Sequence, residues 1–133
     1  MTTVSVTKVV EFHAAHVLSW HPGLCSRLHG HTYKLEVSVA GPLNDHGIVA
    51  DFADIREVIK SHVLDRLDHR MLNDIIDNPT AENVAVTVWC WLHDAGLATS
   101  QVRLWETSTA YVTVDATSFR DDEIAPGRAH GPS

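Results

Sequence analysis

The sequence predicts an α+β domain, a four-stranded antiparallel sheet with two helices on one face, in the order strand, strand, helix, helix, strand, strand. Three observations predict it. Segments of β-branched residues with alternating polarity stand toward both ends of the chain. Two segments of helical periodicity stand between them. No internal repeat or inter-domain linker divides the 133 residues, a length that suits one domain.

Residues 3–12 (TVSVTKVVEF) are rich in β-branched side chains and partly alternate, which reads as the first strand. Residues 17–27 carry Trp20-His21-Pro22-Gly23 and form a loop. Residues 29–40 (HGHTYKLEVSVA) place Tyr33, Leu35, Val37 and Val39 on one side and Lys34, Glu36 and Ser38 on the other, as a half-buried strand requires. Residues 41–47 are a turn, and Ile48-Val49-Ala50 is expected as a short extended piece. Ile55, Val58, Ile59, Val63, Leu64 and Leu67 then recur at helical spacing over residues 54–67, with Asp51 or Asp54 to cap the start. The second helix opens with Thr80 as its N-cap and Glu82 in the first turn, runs through Val84, Val88, Trp91 and Leu92, and stops at Gly96. Residues 101–106 and 110–114 are two further strands around Thr107-Ser108-Thr109. The domain is expected over residues 1–118, and the polar segment 119–133 is expected to be a disordered tail. With the helices on one face of the sheet, the other face needs a partner, most simply another subunit.

Hydrophobic residues make up 44% of the chain and charged residues 20%, enough for a core without disulfides. Cys25 and Cys90 do not make a disulfide framework. No apolar run approaches a membrane span, and the first residues lack the pattern of a secretory signal, so the expectation is a cytoplasmic protein without a membrane partner. The net charge of −7 argues against binding nucleic acid through the bulk field. It leaves room for a small anionic substrate, because a few local cations can outweigh the global sign.

The chain has ten histidines, and five of them (His13, His16, His21, His29 and His31) fall within nineteen residues. His29 and His31 are two apart in a predicted strand and so leave the same face. His16, at the end of the preceding strand, could supply a third ligand across the hairpin. Three neutral imidazoles with one open position make a catalytic type of zinc site, and an all-imidazole set favours zinc over iron. Taken alone, an H-G-H triplet also occurs in ordinary turns. Cys25 has three readings: a fourth ligand closing a structural site, a thiolate base or nucleophile beside the metal, or a buried loop cysteine. Cys90, between Trp89 and Trp91, reads as core. Asp68-His69 pairs a carboxylate with an imidazole, which can fix a tautomer for proton transfer, although such pairs are common on surfaces. Glu106 interrupts an apolar strand. It is either the strand's solvated end or an acceptor for paired N–H donors of a guanidine-like edge.

These segments, taken in order, resemble the family of 6-pyruvoyltetrahydropterin and 6-carboxytetrahydropterin synthases. The resemblance rests on Phe12-His13-Ala14-Ala15-His16, Cys25-Ser26-Arg27-Leu28-His29-Gly30-His31, Gly47-Ile48-Val49-Ala50-Asp51-Phe52, Leu67-Asp68-His69-Arg70-Met71-Leu72-Asn73, Pro79-Thr80-Ala81-Glu82-Asn83 and Glu106-Thr107, and covers roughly residues 6 to 114. It implies the tunnelling fold, whose subunits form trimeric barrels that stack as hexamers with active sites at subunit interfaces. It further implies zinc held by His16, His29 and His31, a catalytic Cys25 working with Asp68 and His69, and Glu106 anchoring a pterin ring. Thr80 and Glu82 belong to a matching segment and are candidate substrate contacts. Arg27 is a candidate for an anionic part of the substrate or a plain surface residue. Three residues separate Cys25 from the H-G-H triplet, which is similar to the carboxytetrahydropterin branch, whose product serves 7-deazapurine (queuosine-type) biosynthesis. The implied activity is conversion of 7,8-dihydroneopterin triphosphate to 6-carboxytetrahydropterin, acetaldehyde and triphosphate. A pyruvoyl-type elimination without cleavage, another pterin-side-chain aldolase and a non-catalytic zinc-stabilised binding module are the alternatives. His13 and Trp105 depart from the pattern as bulky neighbours of matched residues.

Overall fold

The first strand is longer than the sequence predicts. In the computed structural model, which describes residues 2–119, β1 spans Thr3–His16 and β2 spans His29–Pro42. They pair antiparallel without a break from Thr3↔Pro42 to His16↔His29. Alternation carries β1 through to its end: Val10, Phe12, Ala14 and His16 are buried, while Glu11 and His13 are exposed.

The sheet has five strands rather than four, in the order β3-β1-β2-β4-β5. β4 (Thr99–Thr107) and β5 (Ala110–Asp115) form the second hairpin, close to the predicted bounds. The added strand, β3 (Arg70–Met71), runs parallel to β1 beside Ala14 and Ala15. Two residues carry no periodicity, so nothing in the local sequence marks it. It forms because the preceding residues are tied to β1: His69 N–H donates to His13 O at 2.6 Å, and His13 N–H donates to Asp68 Oδ1 at 2.9 Å.

Ile48-Val49-Ala50 is not a strand. The chain there turns on Gly47, whose φ of +79° suits glycine, and on Asn44, whose N–H donates to Ile48 O at 2.8 Å. The first helical run starts at Phe52, capped by Asp51 Oδ1, which accepts from Ala53 N–H at 2.8 Å. It comprises α1 (Phe52–Ile59), a π segment (Lys60–Leu64) and the short α2 (Asp65–Leu67). Next comes α3 (Ala81–Asp94), capped by Thr80 as predicted and followed by Gly96 at φ +84°.

The core lies between one face of the sheet and the helices. Phe12, Tyr33, Leu35, Val37 and Leu104 meet Ile55, Ile59, Val63, Val84, Val88 and Leu92, all fully or almost fully buried. The opposite face is polar and laced together: Trp105 Nε1–H donates to Glu36 Oε2 at 2.7 Å, and Lys34 Nζ lies 4.4 Å from the Trp105 ring centroid. Among the described residues no helix is long and apolar enough to cross a membrane. Of the expected tail, Phe119 stands 6.0 Å from Trp89, ring to ring, and the rest lies outside the described residues.

Candidate metal centre and active site

The hairpin register puts the three predicted ligands in one place. His16 faces His29 directly across the ladder, and His31 pairs with Ala14 one step further in. Paired residues share a face, and His16 follows the parity of Phe12 and Ala14, so all three imidazoles leave the helix-facing side. One nitrogen from each lies within 4.8 Å of the others. The rings meet edge to face at 4.5 to 5.2 Å.

Backbone carbonyls decide the tautomers. His16 Nδ1 lies 2.7 Å from Pro79 O, and His29 Nδ1 lies 2.7 Å from Arg27 O. A carbonyl only accepts, so both Nδ1 atoms carry the proton and both Nε2 atoms carry lone pairs when the rings are neutral. Those two Nε2 atoms are 2.9 Å apart. Two lone pairs at that separation repel unless a cation stands with them, and His31 Nε2 is buried beside them without a hydrogen-bond partner. Burial holds the His31 imidazole below the ordinary histidine value, opposed by the Glu106 charge and reinforced by His16 and His29. The donor set therefore fits a metal ion: nitrogen lone pairs, two of them fixed by outer carbonyls in the way that orients metal-bound histidine.

Glu106 joins this end of the sheet. The register shifts between Trp105 and Thr107, and Glu106 Oε2 comes to 3.9 Å from His16 Nε2. Glu82 and Glu106 both line a pocket of about 200 Å³. Thr80, whose hydroxyl accepts from Asn83 N–H at 3.1 Å, is engaged as the helix cap. Trp105 pairs with Lys34 on the polar face, bonded to Glu36 rather than placed beside the histidines.

The other predicted catalytic residues are not among the three side chains that could hold the metal. Asp68 and His69 sit at the edge of β1, with His69 Nδ1 3.1 Å from Asp68 Oδ1. The His13 backbone N–H is the main cause holding the Asp68 carboxyl below the usual carboxylate range, with the His69 contact assisting. His69 adopts φ +60°, a conformation that side chains rarely take, and its backbone bond to His13 fixes it there. The His13 and His69 rings are 5.5 Å apart. Both residues, with His31, Thr32 and Arg70, line a cleft of about 640 Å³. Cys25 is half-buried in the 3-10 turn Leu24–Ser26 and is not in the group that could hold the metal. Arg27 is exposed, and the part of it that serves the centre is its carbonyl.

The sequence reading missed that carbonyl and that of Pro79, since backbone groups leave no residue signal. It also passed over Tyr33 as a site residue, although Tyr33 is two positions from His31 on the same face. Its ring is 5.5 Å from His31, and burial foremost, then the Glu106 charge, pushes the phenol up so that it stays a donor.

Residues 5–117 match the family model described as 6-pyruvoyl tetrahydropterin synthase. The chain belongs to that family. Its similarity to the 6-carboxy-5,6,7,8-tetrahydropterin synthase of Haemophilus influenzae is 34% identity over 133 residues, covering 80% of this chain and 94% of the relative. A 76-residue stretch is 43% identical to the dihydroneopterin monophosphate aldolase of Pyrococcus furiosus, covering 57% of this chain and 60% of that one. Among solved structures, the 6-pyruvoyl tetrahydropterin synthase of Caenorhabditis elegans superposes with a TM-score of 0.77 at 28% identity, over 87% of this chain and 97% of that one. This pterin synthase family member thus keeps the α+β sheet and helices, with five strands in its own sheet.

Proposed function

We propose that this chain is a zinc-dependent lyase that converts 7,8-dihydroneopterin triphosphate and water to 6-carboxytetrahydropterin, acetaldehyde and triphosphate, in 7-deazapurine biosynthesis. The observation that carries the reading is the trio of imidazoles, two with their Nε2 lone pairs set by backbone carbonyls, beside Glu106. The named activity of the Haemophilus relative and the spacing from Cys25 to His29 support the choice of reaction.

When bound, zinc supplies a Lewis acid that polarises a substrate oxygen and stabilises developing enolate character. His16, His29 and His31 hold it. Glu106 accepts N–H donors of the pterin ring, with Glu82 on the same pocket wall. The Cys25 thiolate takes a side-chain proton, and His69, oriented by Asp68, moves a proton on the other side. Thr80 holds the helix start that carries Glu82, and Arg27 meets an anionic part of the substrate. Cys25, Asp68 and His69 are not in the metal group of the chain, and in this reading assembly completes the site around them. The proposed assembly is a hexamer, as a dimer of trimers. It is supported by two sheet edges: most of β1 beyond its two pairs with β3, and β5, which pairs only with β4. Trp20, Leu24 and Leu28, flanking Cys25, are 60% to 79% exposed and offer apolar contact for a neighbouring copy.

The test is incubation of zinc-loaded protein with 7,8-dihydroneopterin triphosphate, with mass analysis of the pterins and an acetaldehyde assay. Carboxytetrahydropterin with acetaldehyde is the expected result. Pyruvoyltetrahydropterin without acetaldehyde would move the reaction to the sister elimination. The local identity with the Pyrococcus aldolase favours one second reading, cleavage of a dihydroneopterin phosphate to a hydroxymethyl pterin. The same mass analysis separates that product.

A further inference from the structure

Two buried polar atoms of neighbouring β2 residues lack partners: His31 Nε2 and the Tyr33 hydroxyl. They leave the same face two residues apart, and their rings are 5.5 Å apart. Tyr33 also meets the His16 ring edge to face at 6.3 Å. The register continues the row from Phe12 on β1 through Tyr33, and the shift after Trp105 brings Glu106 to the same end of the sheet.

The aromatic ring of Tyr33 has a full packing role of its own. It stacks on Phe12 at 4.9 Å with planes 10° apart, and the residue is entirely buried. A phenylalanine would make the same stack. The hydroxyl adds nothing to it and incurs the desolvation cost of an unpaired donor. The other unpartnered buried atoms, on Trp89, Trp91 and Arg103, belong to α3 and the middle of β4. Among the described residues, Tyr33 is the unpartnered buried donor whose ring adjoins a histidine of the candidate metal group with an unpartnered nitrogen. One bound group would satisfy both sets: a cation on the nitrogens, and an oxygen atom beside it accepting from the phenol.

We propose that the Tyr33 hydroxyl is a further ligand-binding group of this site, donating a hydrogen bond to an oxygen atom of the molecule held at the His16–His29–His31 centre. The inference rests on that centre being a metal site. It does not require that the molecule be a particular pterin.

The experiment loads the full-length protein and Tyr33→Phe with Co²⁺ as a spectroscopic stand-in and titrates each with acetohydroxamate, a small oxygen-donor probe. Both proteins should take up one Co²⁺ with the same ligand-free visible spectrum, and Tyr33→Phe should melt no lower than the parent. The variant should bind the hydroxamate about tenfold more weakly, the size of one lost hydrogen bond. Its bound-state spectrum should also differ. Equal hydroxamate affinity with identical bound spectra would overturn the proposal and leave the phenol as core. Loss of Co²⁺ from the variant would overturn it too, by showing that the hydroxyl supports the histidines instead of the bound molecule. A parent protein that binds Co²⁺ and hydroxamate but turns over no dihydroneopterin triphosphate would refute the proposed reaction while Tyr33 kept its role. A parent that binds no Co²⁺ would refute both.

Discussion

His13 and His16 lie three residues apart on one strand, yet the sheet sends them to opposite environments. His16 is fully buried on the helix-facing side with its Nδ1 fixed by Pro79 O. His13 is exposed on the other side, its Nδ1 3.0 Å from the Thr32 hydroxyl and its ring near His69. The group around His16 has buried and half-buried imidazoles, two of them with carbonyl partners. The group around His13 has open imidazoles, one carboxylate and a strained backbone. The first arrangement suits metal binding, where ligand lone pairs must be preset. The second suits proton transfer, where a group must exchange with its surroundings.

The largest effect that would sharpen this contrast is His29→Ala. It removes a proposed ligand without emptying the fully buried His16 position. Bound zinc should fall by about 100-fold or more in affinity, beyond the effect typical of an outer partner, and turnover should fall with it. Metal analysis after dialysis reads the first, and a variant that retained full zinc would break the assignment of the trio.

Cys25→Ala comes next. Zinc stoichiometry should stay intact while turnover falls by about 100- to 10,000-fold, as for loss of an acid–base group. Parallel loss of zinc would make Cys25 a ligand and would turn the centre into a closed structural site.

Asp68→Asn tests the exposed group. Turnover should drop by about 10- to 100-fold with zinc retained. The Asp68 carboxyl lies below its ordinary value in the folded protein. Its stabilising effect is therefore present above the unfolded value near 3.8 and is lost as pH falls through the lower folded value. Melting curves of parent and variant should differ at pH 7 and converge at pH values below that range. A difference that instead grew on acidification would contradict the hydrogen bond from His13.

The smallest effect is Gly96→Ala, at the far end of α3 from the site. The φ of +84° makes any side chain costly, by about 1 kcal/mol, so the melting temperature should fall while zinc content and turnover per folded molecule hold. Loss of turnover in step with zinc would mean that the two ends of the helix are coupled.

Much of the scaffold was legible because its signals are local. Alternation in β2 named the faces of Tyr33, Leu35 and Val37, and Thr80 named its own helix start. The failures have physical causes. The two residues of β3 are too few for a pattern, and their pairing is imposed by bonds from Asp68 and His69 to His13. Ile48-Val49-Ala50, expected as a short extended piece, instead bends after the turn at Asn44 and Gly47, which gives its backbone no ladder to join.

The site divides along the same line. Parity and spacing alone named His16, His29 and His31 as three imidazoles able to meet across a hairpin, because strand geometry turns sequence distance into side-chain direction. What parity cannot supply is protonation. The carbonyl that fixes His16 belongs to Pro79, 63 residues away, and its approach depends on how the chain packs before α3 against the sheet. Tertiary structure likewise decided that Glu106 would reach His16 and that Asp68-His69 would lie beside His13, since both contacts join segments far apart in the chain. The sequence determined which residues could do the chemistry and on which face they stand. Packing determined which nitrogen lone pairs are free and which polar groups accompany them, because those depend on partners that only the folded chain brings within hydrogen-bond reach.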